Sequence, residues 1–242
     1  MSEITVTDIK KKISRKKSEI KPLLSSSLEE DSSIIEIGVD EVGRGPLFGR
    51  VYTGAVILPK DGSFDHSKMK DSKKFHSKKK IMEVADYIKT HAVAWAVGYE
   101  DEKVIDEINI LQATQQAMHK SIASIIKSHN LNPSNIKLLI DGNYFKPYTV
   151  YNQETRMIEQ INYACIEGGD NKYSCIAAAS ILAKVERDSY IQQLCIDNPE
   201  LAERYCLDSN KGYGSKKHLD GIKEHGITIW HRRSFGICKT FV

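Results

Sequence analysis

Residues 34–58 read IIEIGVDEVGRGPLFGRVYTGAVIL, and this stretch predicts the beginning of a β-sheet. Its two ends, 34–39 and 51–58, are dense in β-branched residues, which favour strands. The glycines and proline at 43–46 are typical of a turn, and Pro59 ends the second run. We therefore expect an antiparallel hairpin here, with the folded domain starting at Ile34.

Hydrophobic spacing along the rest of the chain predicts helices that alternate with further strands. The predicted strands are 92–99, 136–140 and, more weakly, 163–166, and the predicted helices are 78–90, 101–127 and 171–196. A hairpin followed by alternating strands and helices indicates an α/β fold with a mixed sheet and helices on its faces.

Composition excludes several classes of protein. With 242 residues, 40% hydrophobic and 28% charged, the chain is neither collagen-like, coiled-coil nor largely disordered. The longest apolar run, 176–183, is far shorter than the ~18 residues of a membrane span. Five cysteines without a C-x-x-C pair indicate neither a disulfide framework nor a zinc site. We expect a cytoplasmic protein that makes no membrane contact.

The net charge is only +3, but the basic residues are clustered. Seven basic residues against one acid lie in each of the segments 10–21 and 68–80. A third group lies near the C-terminus and comprises Lys211, Lys216, Lys217, Lys223, Arg232 and Arg233, with His218, His225 and His231 among them. Such clusters are either solvated surface or one phosphate-binding face, and the second interpretation indicates a polyanionic partner.

The sequence divides into two regions. Residues 1–33 are expected to form a basic N-terminal extension and linker, with a short helix capped by Thr7 that ends near Leu24 and a flexible serine-rich and acidic segment at 25–33. Residues 34–242 are expected to form the folded domain.

Acidic residues follow two of the predicted strands. Asp40 and Glu41 come after the first strand, Asp141 follows the strand at 136–140, and Asp170 follows a glycine pair at the start of the alanine-rich helix. Each acid alone is equally typical of a turn or a helix cap. Together, four carboxylates at the ends of strands suit Mg²⁺ or Mn²⁺ and the two-metal hydrolysis of a phosphodiester.

Several motifs, in order, resemble the type 2 ribonucleases H, the ribonuclease HII family. These motifs are GVDEVGRGPL (38–47), DSKK (71–74), IDG (140–142), GD (169–170), IAAASILAKVERD (176–188), NKGYG (210–214) with His218, and HRRSF (231–235). The resemblance extends from about Ile34 to Phe235. Residues 1–24 are similar to the basic extensions of some members, and a disordered tail is the alternative.

The resemblance implies a ribonuclease H-like fold, a mixed five-stranded sheet flanked by helices, with a helical C-terminal part. It implies a monomeric endonuclease that cuts the RNA strand of RNA/DNA hybrids and single ribonucleotides within duplex DNA, leaves 5′-phosphate and 3′-hydroxyl ends, and serves ribonucleotide excision repair. Mg²⁺ or Mn²⁺, two ions with substrate bound, would be held by Asp40, Glu41, Asp141 and Asp170. The implied substrate-binding residues are Gly43, Arg44, Gly45, Lys73 and Tyr213, with the turn and the tyrosine contacting the ribose 2′-hydroxyl.

The sequence also departs from the family pattern. Ser215 replaces a common threonine, and Phe48 and Arg50 replace a small residue and a proline, which adds bulk and charge beside the turn. Arg44 and Pro46 favour type 2 over type 3, which carries threonine and aspartate there. Two alternatives stay open: a catalytically silent nucleic-acid-binding module, and a metal-dependent nuclease of another specificity, such as one acting on DNA junctions.

Overall fold

A five-stranded mixed sheet forms the centre of the computed structural model, which describes residues 24–152 and 156–241. The predicted helix near Thr7 lies outside these residues. The strands are β1 (Ile35–Val42), β2 (Val51–Ile57), β3 (Ala94–Glu100), β4 (Ile136–Asp141), β5 (Thr149–Asn152), β6 (Met157–Gln160) and β7 (Asn162–Ile166). The order is β3-β2-β1-β4-β7, with β1–β2 and β2–β3 antiparallel and β1–β4 and β4–β7 parallel. The predicted hairpin and the α/β class are confirmed.

Helices cover both faces of this sheet. They are α1 (Lys78–His91), α2 (Glu102–Ser128), α3 (Ser174–Asp197), α4 (Glu200–Tyr205), α5 (Leu207–Asn210) and α6 (Lys216–His225). One core cluster joins α1 and α3 to side chains such as Val56 and Leu139, and a second joins α2 to Ile37 and Val39. Residues on opposite faces alternate along the strands, as the pleat of a sheet requires.

Glycines in the sheet explain how closely α3 approaches it. A Cβ at Gly38 would lie 2.3 Å from the backbone carbonyl carbon of Cys175, and one at Gly54 would lie 2.3 Å from the carbonyl oxygen of Ala179. The small side chains of α3 and these two glycines therefore let helix and sheet meet almost backbone to backbone. The result is a buried helix that holds Asp170 close to the sheet.

The predicted helix at 101–127 is two helical segments. Asn109 lies between them with φ 68°, a left-handed conformation, and its Oδ1 accepts hydrogen bonds from the backbone of Leu111 and Gln112. Asparagine tolerates this conformation better than most residues and can cap a new helical turn. The prediction of one uninterrupted helix was wrong for this reason.

Two further features were not in the prediction. Strands β5 and β6 form a separate antiparallel hairpin. The segment 25–33, expected as a flexible linker, makes defined contacts: Ser25 exchanges backbone hydrogen bonds with Lys172 and Ser174, and Glu36 accepts from the backbone of Leu28. The division into 1–33 and 34–242 stays a prediction.

The short helices α4, α5 and α6 pack around a third cluster that includes Phe48, Tyr205 and Ile222. At its centre, His218 and His231 are buried with their Nε2 atoms 3.1 Å apart. Burial is the main cause that lowers the pKa of both, that of His231 to about 3. No helix among the described residues is long and apolar enough to cross a membrane.

Acid should destabilise the fold through this histidine pair. Because the pKa of His231 is lower in the folded chain than in the unfolded chain, the unfolded state binds the extra proton between pH 6.5 and about 3. The free energy of unfolding should therefore decrease as the pH is lowered through that window, by at most about 1.4 kcal/mol per pH unit per histidine. Urea denaturation from pH 7 to 4 should show a shallower fall for His231→Asn than for wild type. The same pH dependence of the free energy of unfolding in both proteins would contradict the role of His231 in acid destabilisation.

Candidate active site

Three acidic side chains come together at one edge of the sheet because of strand register. Asp40 and Glu41 lie near the C-terminal end of β1, and Asp141 is the last residue of β4. These strands are parallel neighbours, with Val39 paired to Ile140, so Asp40 and Asp141 are adjacent across the ladder. Asp170 joins them from the short 3-10 turn Gly169–Asn171, which follows β7. The four predicted carboxylates thus share one region.

The electrostatics of these groups reflect their proximity. Burial raises the pKa of Asp40 well above its usual range, and the charges of Glu41 and Asp141 raise it further. Burial also raises the pKa of Glu41, against the opposing effect of Arg44, whose guanidinium lies 3.3 Å from the carboxylate. The pKa of Asp170 is raised by burial and then by Asp71 and Asp141. Burial and the neighbouring acids therefore make ionisation of these carboxylates less favourable in the metal-free site.

Hydrogen bonds fix the orientation of three of these carboxylates. Asp40 Oδ1 accepts from the backbone N–H of Glu41 at 2.6 Å, and Asp141 Oδ1 accepts from that of Gly169 at 2.6 Å. Asp170 Oδ1 accepts from the side-chain amide of Asn171 at 2.8 Å. In all three side chains the oxygen that accepts this hydrogen bond is Oδ1, and Oδ2 takes no part in it.

The donor chemistry of this edge fits a divalent cation. Carboxylate oxygens are the ligands that Mg²⁺ and Mn²⁺ prefer, and a cation would offset both the cost of burial and the mutual repulsion that raise these pKa values. Within residues 24–152 and 156–241, however, no three histidine, cysteine, aspartate or glutamate side chains are arranged around a single ion position. The residues fit the ion in chemistry and charge, and Asp40, Glu41, Asp141 and Asp170 are those that would hold it.

The segment 71–74 contributes a fifth acid that the sequence analysis did not single out. The charge of Asp71 raises the pKa of Asp170, and that of Lys73 lowers it, so both side chains lie near this carboxylate. Ser72 is buried and its hydroxyl lies 3.0 Å from that of Ser180 on α3, which ties the segment to the core. The DSKK motif at 71–74 contains this acid, but the sequence prediction did not include Asp71 among the candidate metal ligands. Lys73 lies beside the acidic edge, and its role in substrate binding stays a prediction.

The glycine turn and Tyr213 meet next to the acidic edge. Gly43 has φ 91°, which favours glycine, and a Cβ there would lie 2.4 Å from Nε of Arg187. A Cβ at Gly45 would lie 3.7 Å from the ring of Tyr213, which is 48% exposed. Arg44 connects the turn to Glu41 through their ion pair. The predicted substrate-binding residues Gly43, Arg44, Gly45 and Tyr213 are therefore neighbours.

Comparison with known proteins decides the family. The family model described as Ribonuclease HII matches residues 37–238, most of the chain. The chain belongs to the ribonuclease HII family. A ribonuclease HII of Parabacteroides distasonis is 43% identical over 201 residues, covering 83% of this chain and 89% of the relative. Members are type 2 ribonucleases H, metal-dependent hydrolases that act on RNA/DNA hybrids.

Solved structures show the same fold. The ribonuclease H2 of Pyrococcus horikoshii OT3 aligns with a TM-score of 0.64 at 21% identity, over 86% of this chain and 97% of that one. Bst-RNase HIII in complex with Mn²⁺ aligns with a TM-score of 0.55 at 15% identity, over 79% and 70%. The predicted family and ribonuclease H-like fold are confirmed, and the enzyme is favoured over the catalytically silent module.

Two of the three departures from the ribonuclease HII pattern, Phe48 and Arg50, have defined surroundings in the structure. Phe48 is fully buried and packs against Trp230 and His231. The guanidinium of Arg50 lies between the rings of Tyr99 and Tyr190, 4.2 and 4.3 Å from their centroids. The bulk of Phe48 is thus packed in the core, and the charge of Arg50 is placed in a cation–π contact.

The C-terminal basic group of this ribonuclease HII chain is not a single surface. Arg232, His218 and His231 are buried, whereas Lys216 and Lys217 are exposed. The buried members of this group therefore take no part in a phosphate-binding face, and the two alternatives stay open for its exposed lysines. Sequence alone does not distinguish these residues, because the carbonyl groups that accept from a buried arginine come from distant segments.

Proposed function

We propose that this chain hydrolyses the RNA strand of RNA/DNA hybrids and also cuts at single ribonucleotides embedded in duplex DNA, leaving 5′-phosphate and 3′-hydroxyl ends. The observation that carries the proposal is the contact between two features: the acidic edge at Asp40 and Glu41, and the turn and tyrosine at 43–45 and Tyr213. One can perform phosphodiester hydrolysis, and the other can distinguish ribose from deoxyribose next to it.

The chain's own residues have distinct tasks in this reaction. Bound divalent cations, two with substrate present, would supply Lewis-acid activation of water and charge neutralisation at the leaving oxygen. Asp40, Glu41, Asp141 and Asp170 would hold them, and the hydrogen bonds at Oδ1 keep three of these carboxylates oriented beforehand. Mg²⁺ and Mn²⁺ both suit these oxygen ligands, and the Mn²⁺ complex of Bst-RNase HIII supports Mn²⁺ as one of them.

Ribose recognition is assigned to the turn and the tyrosine. Gly43 and Gly45 lack side chains, so backbone N–H and C=O groups of the turn are accessible to a sugar. The half-exposed ring of Tyr213 can pack on that sugar while its hydroxyl bonds to the 2′-hydroxyl, the group that separates RNA from DNA. Arg44 suits a phosphate next to that nucleotide. We propose that the enzyme works as a cytoplasmic monomer in ribonucleotide excision repair.

One cleavage assay tests the proposed function. The substrate is a DNA duplex with one ribonucleotide, incubated with Mg²⁺, with Mn²⁺ or with chelator, beside an all-DNA duplex and a continuous hybrid. We expect metal-dependent cuts at the ribonucleotide and in the hybrid, and none in DNA. Cleavage of the all-DNA duplex would instead support the alternative of a nuclease with another specificity. An intact single-ribonucleotide duplex would contradict the proposed ribose selection.

Basic residues at 68–80 are expected to bind the phosphate backbone beside this site. The charge of Lys73 lowers the pKa of Asp170, so Lys73 lies near the acidic edge. Lys70 and Lys79 are exposed, so the segment extends from this edge into solvent. Charge reversal at Lys70 and Lys79 should weaken hybrid binding and reduce the slope of log affinity against log salt by about 1–2, since each lost phosphate contact contributes about 0.9 or slightly less.

Fluorescence anisotropy with a labelled hybrid over a series of salt concentrations measures this slope. The matched control is Lys127→Glu, an exposed residue at the end of α2. The metal requirement of cleavage should be the same in all variants. If the double variant kept the wild-type slope, the segment would be solvated surface without a role in binding.

A further inference from the structure

We propose that Arg232 and Arg187 are positioning residues that hold the turn at 43–46 and the loop of Tyr213 together as one preformed unit for ribose recognition. The inference rests on the proposed function, in which these two elements contact the ribonucleotide. Neither arginine was a candidate site residue from sequence. Both are almost completely buried beneath the turn.

Arg232 holds the turn through its backbone. The guanidinium donates four hydrogen bonds to carbonyl oxygens of the segment 43–49, and no carboxylate among the described residues forms an ion pair with it. The acceptors are Gly43 at 2.6 Å, Pro46 at 2.9 Å, Arg44 at 3.0 Å and, from Nε, Gly49 at 2.8 Å. A single side chain thus fixes the path of the turn from beginning to end.

The burial of this charge indicates a role that an apolar residue would not fill. Burying a guanidinium without a carboxylate is costly, and burial, followed by the charge of Arg187, lowers the pKa of Arg232 to about 9. Its planar set of N–H donors is what matches several carbonyls at once. The arginine therefore occupies a position where packing alone would favour a hydrophobic side chain.

Arg187, on α3, connects the turn to the loop of Tyr213. It donates to the carbonyl oxygens of Phe48 at 3.2 Å and Arg50 at 3.2 Å, and also to that of Lys211 at 3.0 Å. Its side chain fills the space that a Cβ of Gly43 would occupy, and its guanidinium lies 5.9 Å from the centre of the Tyr213 ring. One buried side chain therefore contacts both halves of the recognition surface.

The histidine pair beside Arg232 fixes the other side of that loop. The backbone N–H of Thr228 donates to Nδ1 of His231 at 2.9 Å, so His231 carries its proton on Nε2. That proton is donated to Nε2 of His218 at 3.1 Å, which leaves Nδ1–H of His218 to donate to the carbonyl oxygen of Tyr213 at 2.9 Å. The segment that carries Arg232 thus also determines the backbone position of Tyr213.

The consequence is a recognition surface that is ordered before substrate arrives. A preformed site does not have to order the turn and the loop when it binds, which favours affinity for a single ribonucleotide. Lysine at position 232 keeps the charge, but its single ammonium has three donors and no fork, so it is unable to bond the four carbonyls together.

The test compares Arg232→Lys and Arg187→Lys with wild type, with Arg204→Lys as the matched control because Arg204 is exposed on α4. Hydrogen–deuterium exchange of the substrate-free protein should rise at least tenfold in rate at 43–49 and 211–214 in both variants, and remain unchanged in α2. The ratio of kcat/KM on the single-ribonucleotide duplex to that on a continuous hybrid should fall at least fivefold. Arg204→Lys should match wild type in both measurements.

Two results overturn the inference: wild-type exchange at 43–49 in both folded variants, or faster exchange with an unchanged substrate ratio. If Arg232→Lys does not fold, the same criteria apply to Arg187→Lys and to His218→Gln, for which faster exchange at 211–214 is expected. Failure of the proposed function has a different signature, since wild type would then leave the single-ribonucleotide duplex intact. The exchange comparison would still decide whether the arginines order the turn.

Discussion

Replacing Asp40 with asparagine should abolish cleavage while the fold persists. The substitution removes a carboxylate from the centre of the acidic edge, next to Asp141 across the ladder. Loss of one group that stabilises transition-state charge commonly reduces kcat by about 100- to 1000-fold, and loss of a metal ligand should cost at least that. The measurement is hybrid cleavage at saturating Mg²⁺ and Mn²⁺.

The matched control for this variant is Asp61→Asn, because Asp61 is exposed and lies in a loop outside the acidic edge. It should cleave at the wild-type rate. Cleavage by Asp40→Asn within tenfold of wild type would remove Asp40 from the metal-binding set.

The same substitution should not destabilise the metal-free protein at neutral pH. Because burial and neighbouring acids raise the pKa of Asp40, the folded chain binds more protons than the unfolded chain above pH 3.8. The buried carboxyl therefore lowers the free energy of unfolding as pH rises, because it must ionise in an unfavourable environment. Asparagine has no proton to lose, so the variant should not show this pH-dependent decrease. Urea denaturation in chelator should show Asp40→Asn at least as stable as wild type at pH 8. A large destabilisation would contradict the account of this charge.

Substitution of Tyr213 by alanine should reduce cleavage at a lone ribonucleotide more than cleavage in continuous RNA. A single 2′-hydroxyl gives the enzyme one point of recognition, whereas a hybrid offers repeated hydroxyls and an A-like shape. By analogy with aromatic stacking on nucleic acids, the loss at the lone ribonucleotide should be about 1–3 kcal/mol, or about 5- to 150-fold in kcat/KM. Both substrates must be measured at one salt and metal concentration.

Two controls make this comparison specific. Tyr213→Phe keeps the ring and removes the hydroxyl, so it separates stacking from hydrogen bonding. Tyr151→Ala removes an exposed tyrosine from the separate β5–β6 hairpin and should leave both rates unchanged. Equal losses on the two substrates for Tyr213→Ala would make Tyr213 a general packing residue and withdraw its role in ribose recognition.

The sequence predicts the parts of the fold that depend on local periodicity. The β-branched run before Asp40 and the apolar run before Asp141 identify β1 and β4, and the end of each strand locates its acid. Parallel pairing of β1 with β4 then brings these acids together, as expected for an α/β sheet.

Other features depend on contacts between distant segments. The left-handed Asn109 interrupts α2 without changing the helical spacing of its apolar residues, so the spacing does not reveal the interruption. The β5–β6 hairpin exposes apolar side chains such as Ile158, so it lacks the alternation of buried and exposed residues that predicts a strand. Arg232 has the appearance of surface charge in sequence, because its carbonyl acceptors lie more than 180 residues away. Buried polar groups of this kind are recognised only once the fold is known.

Metal binding by the acidic edge is the central claim, and Mn²⁺ titration monitored by electron paramagnetic resonance tests it directly. The proteins are wild type, Asp40→Asn, Glu41→Gln, Asp141→Asn, Asp170→Asn and the control Asp61→Asn, each without substrate. We expect wild type and Asp61→Asn to bind Mn²⁺ equally and each of the other four variants to bind at least tenfold more weakly. Unchanged affinity in all four variants would show that the metal binds elsewhere and would contradict the site.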